Sequence, residues 1–340
     1  MLLTDVETNI KGSQEAMSMT QADKIRGLLR SLPRPRQGGI DMGSVSTASY
    51  TSETVADYLS FYGLDHEKRN ADLTHILGTF KSGCDTLAGH IYIPANYTAV
   101  IVILHGYLNH AGQFKHFTKY FIDKGFAVAH FDMPGHGLSS GGRAEIEDFS
   151  DYTDSLNSFT DYVTSILNGP YHLIGFSTGS AVAFDYTLNT NNNHYDKVVL
   201  AAPLVHNVAW RWSKVGFKLY RPFIKKVPRV HRQNSNDEKF LHFNRYEDYL
   251  HSQEVPLKWV HALQVWNGRL SKAKPLQKPA LIIQGTKDLV VDYDYNIDFI
   301  RQKLPTTTVT YIEGAHHELF NESESLRMFA FELINQYLKQ

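Results

Sequence analysis

The sequence predicts an α/β fold with a mostly parallel central sheet and helices on both faces. Two observations carry that prediction. From residue 75 to the C-terminus, short β-rich runs alternate with stretches of helical periodicity, the pattern that crossover connections between parallel strands produce. The run 99–104 is apolar at every position, as expected of a strand whose two faces are both covered by helices. With 340 residues, 42% apolar, 12% aromatic and 20% charged, the chain has material for one large core, and disorder, collagen and coiled coil are excluded.

The elements follow in order. Residues 75–80 and 87–94 read as strands joined by a turn at Ser82-Gly83, an antiparallel entry into the sheet. The strand 99–104 leads to a helix over 114–124, the strand 126–131 to a helix over 149–167, and the strand 171–174 to a helix over 180–188. A strand at 198–201 is followed by a long gap, then by a strand at 281–284, a helix near 297–303, a strand at 308–312 and a last helix over 323–338. The first aromatic residue is Tyr50, in a chain with 19 Phe, 19 Tyr and 4 Trp, so residues 1–50 are expected to be an N-terminal extension outside the main core. The core is thereby assigned to 51–203 and 275–340, interrupted by an insertion at 204–274.

Lysine and arginine number 34 against 35 acidic residues, a formal charge of −1, so no global field recruits nucleic acid and no nucleic-acid partner is expected. Cys84 is the single cysteine; it cannot close an internal disulfide, has no zinc-ligand spacing around it, and is expected to be a small apolar core residue. No apolar run approaches the roughly 20 residues that span a bilayer. The N-terminus lacks the basic start, apolar stretch and small-residue cleavage site of a conventional secretory signal, which points to a cytoplasmic protein.

In such a sheet, ligands gather beyond the carboxyl ends of the strands. After the strand 171–174 stands Gly175-Phe176-Ser177-Thr178-Gly179, followed by a helical run. That is the strand-turn-helix setting of a nucleophile elbow, a turn so tight that the positions two before and two after the serine need minimal side chains. The Thr178 N–H and the helix N-terminus then face developing negative charge. A second match, Gly137-Leu138-Ser139-Ser140-Gly141, does not directly follow a strand, and context assigns Ser139 to a loop and Ser177 to the nucleophile. A serine nucleophile needs an imidazole to take its proton and a carboxylate to fix the tautomer of that imidazole. Asp288 stands in the loop after 281–284, with Asp292 and Asp294 as rivals whose simpler role is helix capping or a solvated loop. His317 follows the strand 308–312, with its neighbour His316 as the rival. After the strand 99–104 stands His105-Gly106-Tyr107, where the Tyr107 N–H is the candidate second oxyanion donor and His105 is expected to hold the loop by hydrogen bonds.

On four segments, Leu104-His105-Gly106-Tyr107, Asp132-Met133-Pro134-Gly135-His136-Gly137-Leu138-Ser139, Gly175-Phe176-Ser177-Thr178-Gly179 and Glu313-Gly314-Ala315-His316-His317, residues 75–340 resemble the α/β-hydrolase superfamily, in particular its monoacylglycerol lipase and lysophospholipase-like branch. The resemblance implies a triad of Ser177, Asp288 and His317, oxyanion donors at Tyr107 and Thr178, and no metal or organic cofactor. It implies a serine hydrolase of carboxylic esters acting on a small-molecule or lipid substrate of the monoacylglycerol or lysophospholipid class. The alternatives are a small-ester esterase, a thioesterase or an acyltransferase with the same triad, and a non-catalytic binding protein that keeps the fold. An aromatic residue at 107 is expected to narrow the acyl side of the pocket, and the N-terminal extension lies outside the resemblance.

The insertion 204–274 stands where this fold commonly carries a helical cap, or lid. It holds 14 Lys and Arg against 5 Asp and Glu, a balance of +9, leaving −10 for the rest of the chain. Trp212, Val215, Leu219, Tyr220 and Phe223 fall at helical spacing, with Arg211, Lys214, Lys218 and Arg221 largely elsewhere around the helix. The favoured reading is a cap helix with its apolar side on the active site; the alternative is an interfacial lid with peripheral membrane contact. The scarcity of acidic groups argues against an aminopeptidase, which must hold a substrate ammonium.

Overall fold

The computed structural model describes residues 53–190, 194–210 and 224–340. Helix α1 (Glu53–Tyr62) precedes a hairpin of β1 (Leu73–Ser82) and β2 (Asp85–Pro94). There follow β3 (Ala99–Leu104), α2 (Lys115–Asp123), β4 (Phe126–Phe131), α3 (Ser150–Ile166), β5 (Tyr171–Phe176), α4 (Thr178–Asn189) and β6 (Tyr195–Ala201). The next segment carries β7 (Lys226–Pro228), α5 (Glu238–His242), β8 (Glu254–Pro256) and α6 (Leu257–Leu270). The chain then returns to the sheet through β9 (Leu281–Gly285), α7 (Tyr293–Lys303), β10 (Thr308–Ile312) and α8 (Glu324–Leu338). The eight-stranded sheet has the order β1-β2-β4-β3-β5-β6-β9-β10. Its β1–β2 and β2–β4 pairs are antiparallel and the remaining pairs are parallel.

Strand β3 explains why its sequence is apolar throughout. Val100, Val102 and Leu104 point to one core, shared with α3 and α4, while Ala99, Ile101 and Ile103 point to another, shared with α2 and α8. Side chains alternate across a strand, so both sets must be apolar when both faces are covered. A third cluster packs α1 on the hairpin: Val55, Tyr58, Leu59 and Tyr62, at helical spacing, are buried with Leu77 and Ala88. At about 2 kcal/mol for each such side chain, α1 is an integral part of the fold. This helix lies ahead of the first expected strand at residue 75 and is an addition to the expected elements, although its apolar spacing is present in the sequence.

One further correction concerns the hairpin. The two hairpin strands extend to Ser82 and from Asp85, so the turn is Gly83-Cys84 and Cys84 is exposed, against the expectation of a core residue. A two-residue hairpin loop projects into solvent whatever the polarity of its side chains. Between β6 and β9 the described residues include a two-stranded antiparallel ribbon, β7–β8, beside the helices. The inner face of α6, with Trp259, Leu263 and Trp266, merges with the main core. The predicted amphipathic helix with Trp212, Val215, Leu219, Tyr220 and Phe223, and its cations Arg211, Lys214, Lys218 and Arg221, lies outside the described residues. Among the described residues no helix is long and apolar enough to cross a membrane.

Candidate active site

The turn between β5 and α4 is a single residue, Ser177, with φ 53° and ψ −112°. Positive φ is unusual for a residue with a side chain and marks stored backbone strain. The neighbouring glycines make the turn possible. A Cβ on Gly175 would lie 2.4 Å from the carbonyl oxygen of Gly179, and one on Gly179 would lie 2.3 Å from that of Leu104. The strand and helix therefore come closer to the serine than the sequence reading placed them, because glycine here serves close approach rather than ending an element.

The structure brings Ser177, His317 and Asp288 together from the ends of three segments. His317 Nε2 is 2.9 Å from Ser177 Oγ, and His317 Nδ1 is 2.7 Å from Asp288 Oδ2. The Asp288 carboxylate also accepts bonds from the Val290 and Val291 amides at 2.8 and 3.2 Å and from Gln284 Nε2 at 3.0 Å. Burial disfavours the Asp288 charge, but the adjacent His317 and these donors outweigh it and hold its carboxyl below the ordinary value. Burial likewise disfavours the imidazolium of His317, and the Asp288 charge and hydrogen bond outweigh it, so its pKa is raised.

The rivals have other work. His316 donates its backbone N–H to Glu322 at 2.7 Å. Asp292 caps α7, accepting from the Tyr295 amide at 3.4 Å, and Asp294 lies in the first turn of that helix. Ser139 is in a loop, where its hydroxyl donates to the Asp132 carbonyl at 2.5 Å and accepts from the Ala88 amide at 3.0 Å.

Thr178 occupies the first position of α4, where helix geometry leaves amides without an intrahelical acceptor. The loop carrying Tyr107 lies directly on the serine turn: a Cβ on Gly106 would be 3.3 Å from Ser177 Cβ. His105 holds this loop as expected. Its Nδ1 bonds the Gly106 carbonyl at 2.8 Å and its Nε2 accepts from the Met133 amide at 2.9 Å, and burial keeps the ring neutral by pushing its pKa well below the usual value. Asp132 supports the same corner, accepting from the Ala111 and Leu138 amides at 2.6 and 2.7 Å.

Sequence reasoning missed three residues that brace the site. Trp259 of α6 stacks on the Tyr107 ring with centroids 3.6 Å apart. Asp248 is buried and accepts from Tyr62 Oη at 2.9 Å and Gln113 Nε2 at 2.8 Å, with His110 Nε2 at 2.9 Å. Burial opposes its charge, but His110 and these donors pull its pKa well down. Glu318, next to His317, accepts from Asn109 Nδ2 at 3.2 Å and is pushed upward by burial. None belongs to a local motif; partners distant in sequence assemble each contact.

A mostly parallel sheet crossed in this order, with a serine held at positive φ between a central strand and its helix, is the architecture of the α/β-hydrolases, and the chain has that fold. The sequence profile of the family described as serine aminopeptidase, S33, matches residues 95–324, and the chain belongs to that family. It is 25% identical over 251 residues to phospholipase YtpA of Bacillus subtilis, covering 71% of this chain and 96% of that protein. It is 26% identical over 238 residues to a monoacylglycerol lipase of Mycolicibacterium smegmatis, covering 66% and 83%. Among solved structures, a soluble variant of monoglyceride lipase from Saccharomyces cerevisiae aligns with a TM-score of 0.67 and 16% identity, covering 77% of this chain and 94% of that one. The chain is an esterase- or lipase-type hydrolase of the monoacylglycerol lipase-like branch.

Proposed function

We propose that the protein hydrolyses carboxylic esters of single-chain lipids, of the monoacylglycerol or lysophospholipid class, through an acyl-serine intermediate. The observation that carries this reading is the continuous path from Asp288 through both nitrogens of His317 to Ser177 Oγ. In the reaction, His317 Nε2 takes the hydroxyl proton as Ser177 Oγ attacks the ester carbonyl carbon. Asp288 stabilises the resulting imidazolium without becoming protonated. The Tyr107 and Thr178 amides donate to the tetrahedral oxyanion. Collapse of the intermediate breaks the ester bond, and the imidazolium returns its proton to the departing alcohol. Water, activated by the same imidazole, then attacks the acyl-serine and releases the acid.

In this reading, segment 204–274 caps the site. Aminopeptidase chemistry, named in the family description, is disfavoured because a substrate ammonium needs a carboxylate near the serine. Of the buried carboxylates between this segment and the core, Asp248 and Glu318 are already engaged by Tyr62, His110, Gln113 and Asn109, and Glu322 by Asn236. The names of the phospholipase and monoacylglycerol lipase relatives support a lipid ester as substrate.

The test is hydrolysis of an ester series from acetyl esters to long-chain monoacylglycerol and lysophosphatidylcholine, with Ser177→Ala and Ser139→Ala in parallel. The expected result is activity abolished by Ser177→Ala alone, with an optimum at long chains. Folded wild type that turns over no ester would overturn the reading.

A further inference from the structure

The positive charge between β6 and β9 is gathered, in part, around one cavity. It has a volume of about 310 Å³ and is lined by Arg229, Arg232, Arg245 and His231, together with Asn234 and Asn244. No carboxylate lines it. The guanidinium groups already have uncharged partners: Arg229 contacts the His251 ring, Arg232 donates to the Leu289 carbonyl, and Arg245 lies 5.2 Å over the Tyr246 ring. Ion pairs hold Arg269 and Arg327, but among the described residues no carboxylate lies within ion-pair distance of the three guanidinium groups of the cavity. Glu318 and Asp248 act on Arg229 from nearby, but amide, phenol and imidazole partners already occupy both. Burial draws the Arg229 guanidinium down to about 10, which leaves it charged at neutral pH in partly dehydrated surroundings.

Two other cavities differ in charge. One of about 870 Å³ beside α1 and α8 sets Lys115, Lys239 and Arg327 against Asp237, Glu238, Glu247 and Glu324. One of about 350 Å³ beside the β1–β2 turn is acidic, with Lys258 as its lone lysine. Two hydrogen bonds tie the wall of the arginine-lined cavity to neighbours of the triad. Asn234 Nδ2 donates to Glu318 Oε1 at 3.4 Å, one residue beyond His317, and Arg232 donates to the carbonyl of Leu289, one residue beyond Asp288.

Guanidinium groups meet phosphate oxygens in a matched, often bidentate geometry, and amide N–H groups complete such a site without adding charge. We propose that this cavity binds a phosphate group, and that the Ser177 site acts on a single-chain phospholipid whose anionic phosphodiester occupies it. This rests on the ester-hydrolase reading and narrows its substrate from neutral glyceride to phospholipid.

The experiment compares kcat/KM for oleoyl lysophosphatidylglycerol and monooleoylglycerol, which share an acyl chain and differ at the phosphate. Wild type, Arg232→Gln, Arg245→Gln and Arg245→Lys are assayed under one detergent condition. The expected result is a preference for the phospholipid that falls about tenfold with each glutamine, carried in KM, and recovers in part with lysine. Inorganic phosphate is tested as a competitor in the same assays and, independently of turnover, for raising Tm of wild type but not of Arg245→Gln. Phosphate binding that depends on Arg245, without any change in lipid preference, would mean a free-phosphate site and overturn the substrate assignment. A preference untouched by the glutamine variants, together with no phosphate effect, overturns the site while leaving ester hydrolysis in place. A folded wild type inactive on both lipids overturns the hydrolase reading and this substrate assignment with it.

Discussion

Tyr107 and Trp259 lie face to face, with ring centroids 3.6 Å apart and planes inclined by 15°. The Tyr107 hydroxyl donates to the Ala144 carbonyl at 3.0 Å, so the side chain is held at its face and at its tip. The amide proposed as an oxyanion donor belongs to this same residue. The stack thus ties the loop after β3 to α6, and the position of a donor to the packing of the segment above it.

Removing that tie should misplace the donor without removing it. Trp259→Ala is expected to lower kcat by about ten- to a hundredfold with little change in KM, and Trp259→Phe to recover most of the loss. Steady-state kinetics on a long-chain ester check this. An unchanged kcat in the alanine variant would show that the stack has no part in positioning.

The coupling of His317 to Asp288 should appear in the pH dependence. The raised pKa of His317 means that the neutral base forms only above the ordinary imidazole value of about 6.5. The acidic limb of kcat/KM is therefore expected to have its midpoint above that value. In Asp288→Asn the charge that favours the imidazolium is gone while burial remains, so the midpoint should move down. The plateau should fall by about ten-thousandfold as the tautomer is lost. A limb that stays in place in the asparagine variant would assign it to another group.

Two glycines should respond in opposite directions. A methyl group at Gly179 meets the backbone of Leu104 and His105, so Gly179→Ala is expected to cost about 3 kcal/mol or more and to abolish activity. Gly268, inside α6, has open space around its Cβ position, and Gly268→Ala is expected to stabilise the fold by up to about 1 kcal/mol. Urea unfolding of the two variants provides the comparison.

Acid should unfold the protein through its buried histidines. Burial, with the neighbouring His75 and His66, lowers the pKa of His130 to about 3, whereas the unfolded chain takes up that proton near 6.5. The unfolded state therefore binds more protons between these values, and stability is lost as pH falls from about 6.5 toward 3. The slope is about 1.4 kcal/mol per pH unit for each such group. His130→Phe is expected to reduce the slope of unfolding free energy against pH by one proton. An identical slope in both proteins would place the proton uptake elsewhere.

Much of the fold was legible because its signals are local. Residues 99–104, 126–131 and 308–312 read as strands with the bounds they have in the structure, since burial on both faces or alternation leaves its mark on a short run. Cys84 was misread because composition says nothing about which residues cap a hairpin. Helix α1 was overlooked because four apolar positions ahead of the first strand gain their significance only from the hairpin beneath them.

The sequence by itself determined the α/β alternation, the serine turn with its paired glycines, and the chain order of serine, aspartate and histidine. Only the tertiary structure decided which of two adjacent histidines reaches the serine, because a one-residue shift in a loop reverses the direction of a side chain. It also decided the stacking of Trp259 on Tyr107, the burial of Asp248 beneath His110 and Tyr62, and the gathering of Arg229, Arg232 and Arg245 around one cavity. Stacks, buried carboxylates and charged cavities are made by segments that meet in space, and no periodicity along a chain encodes which segments will meet.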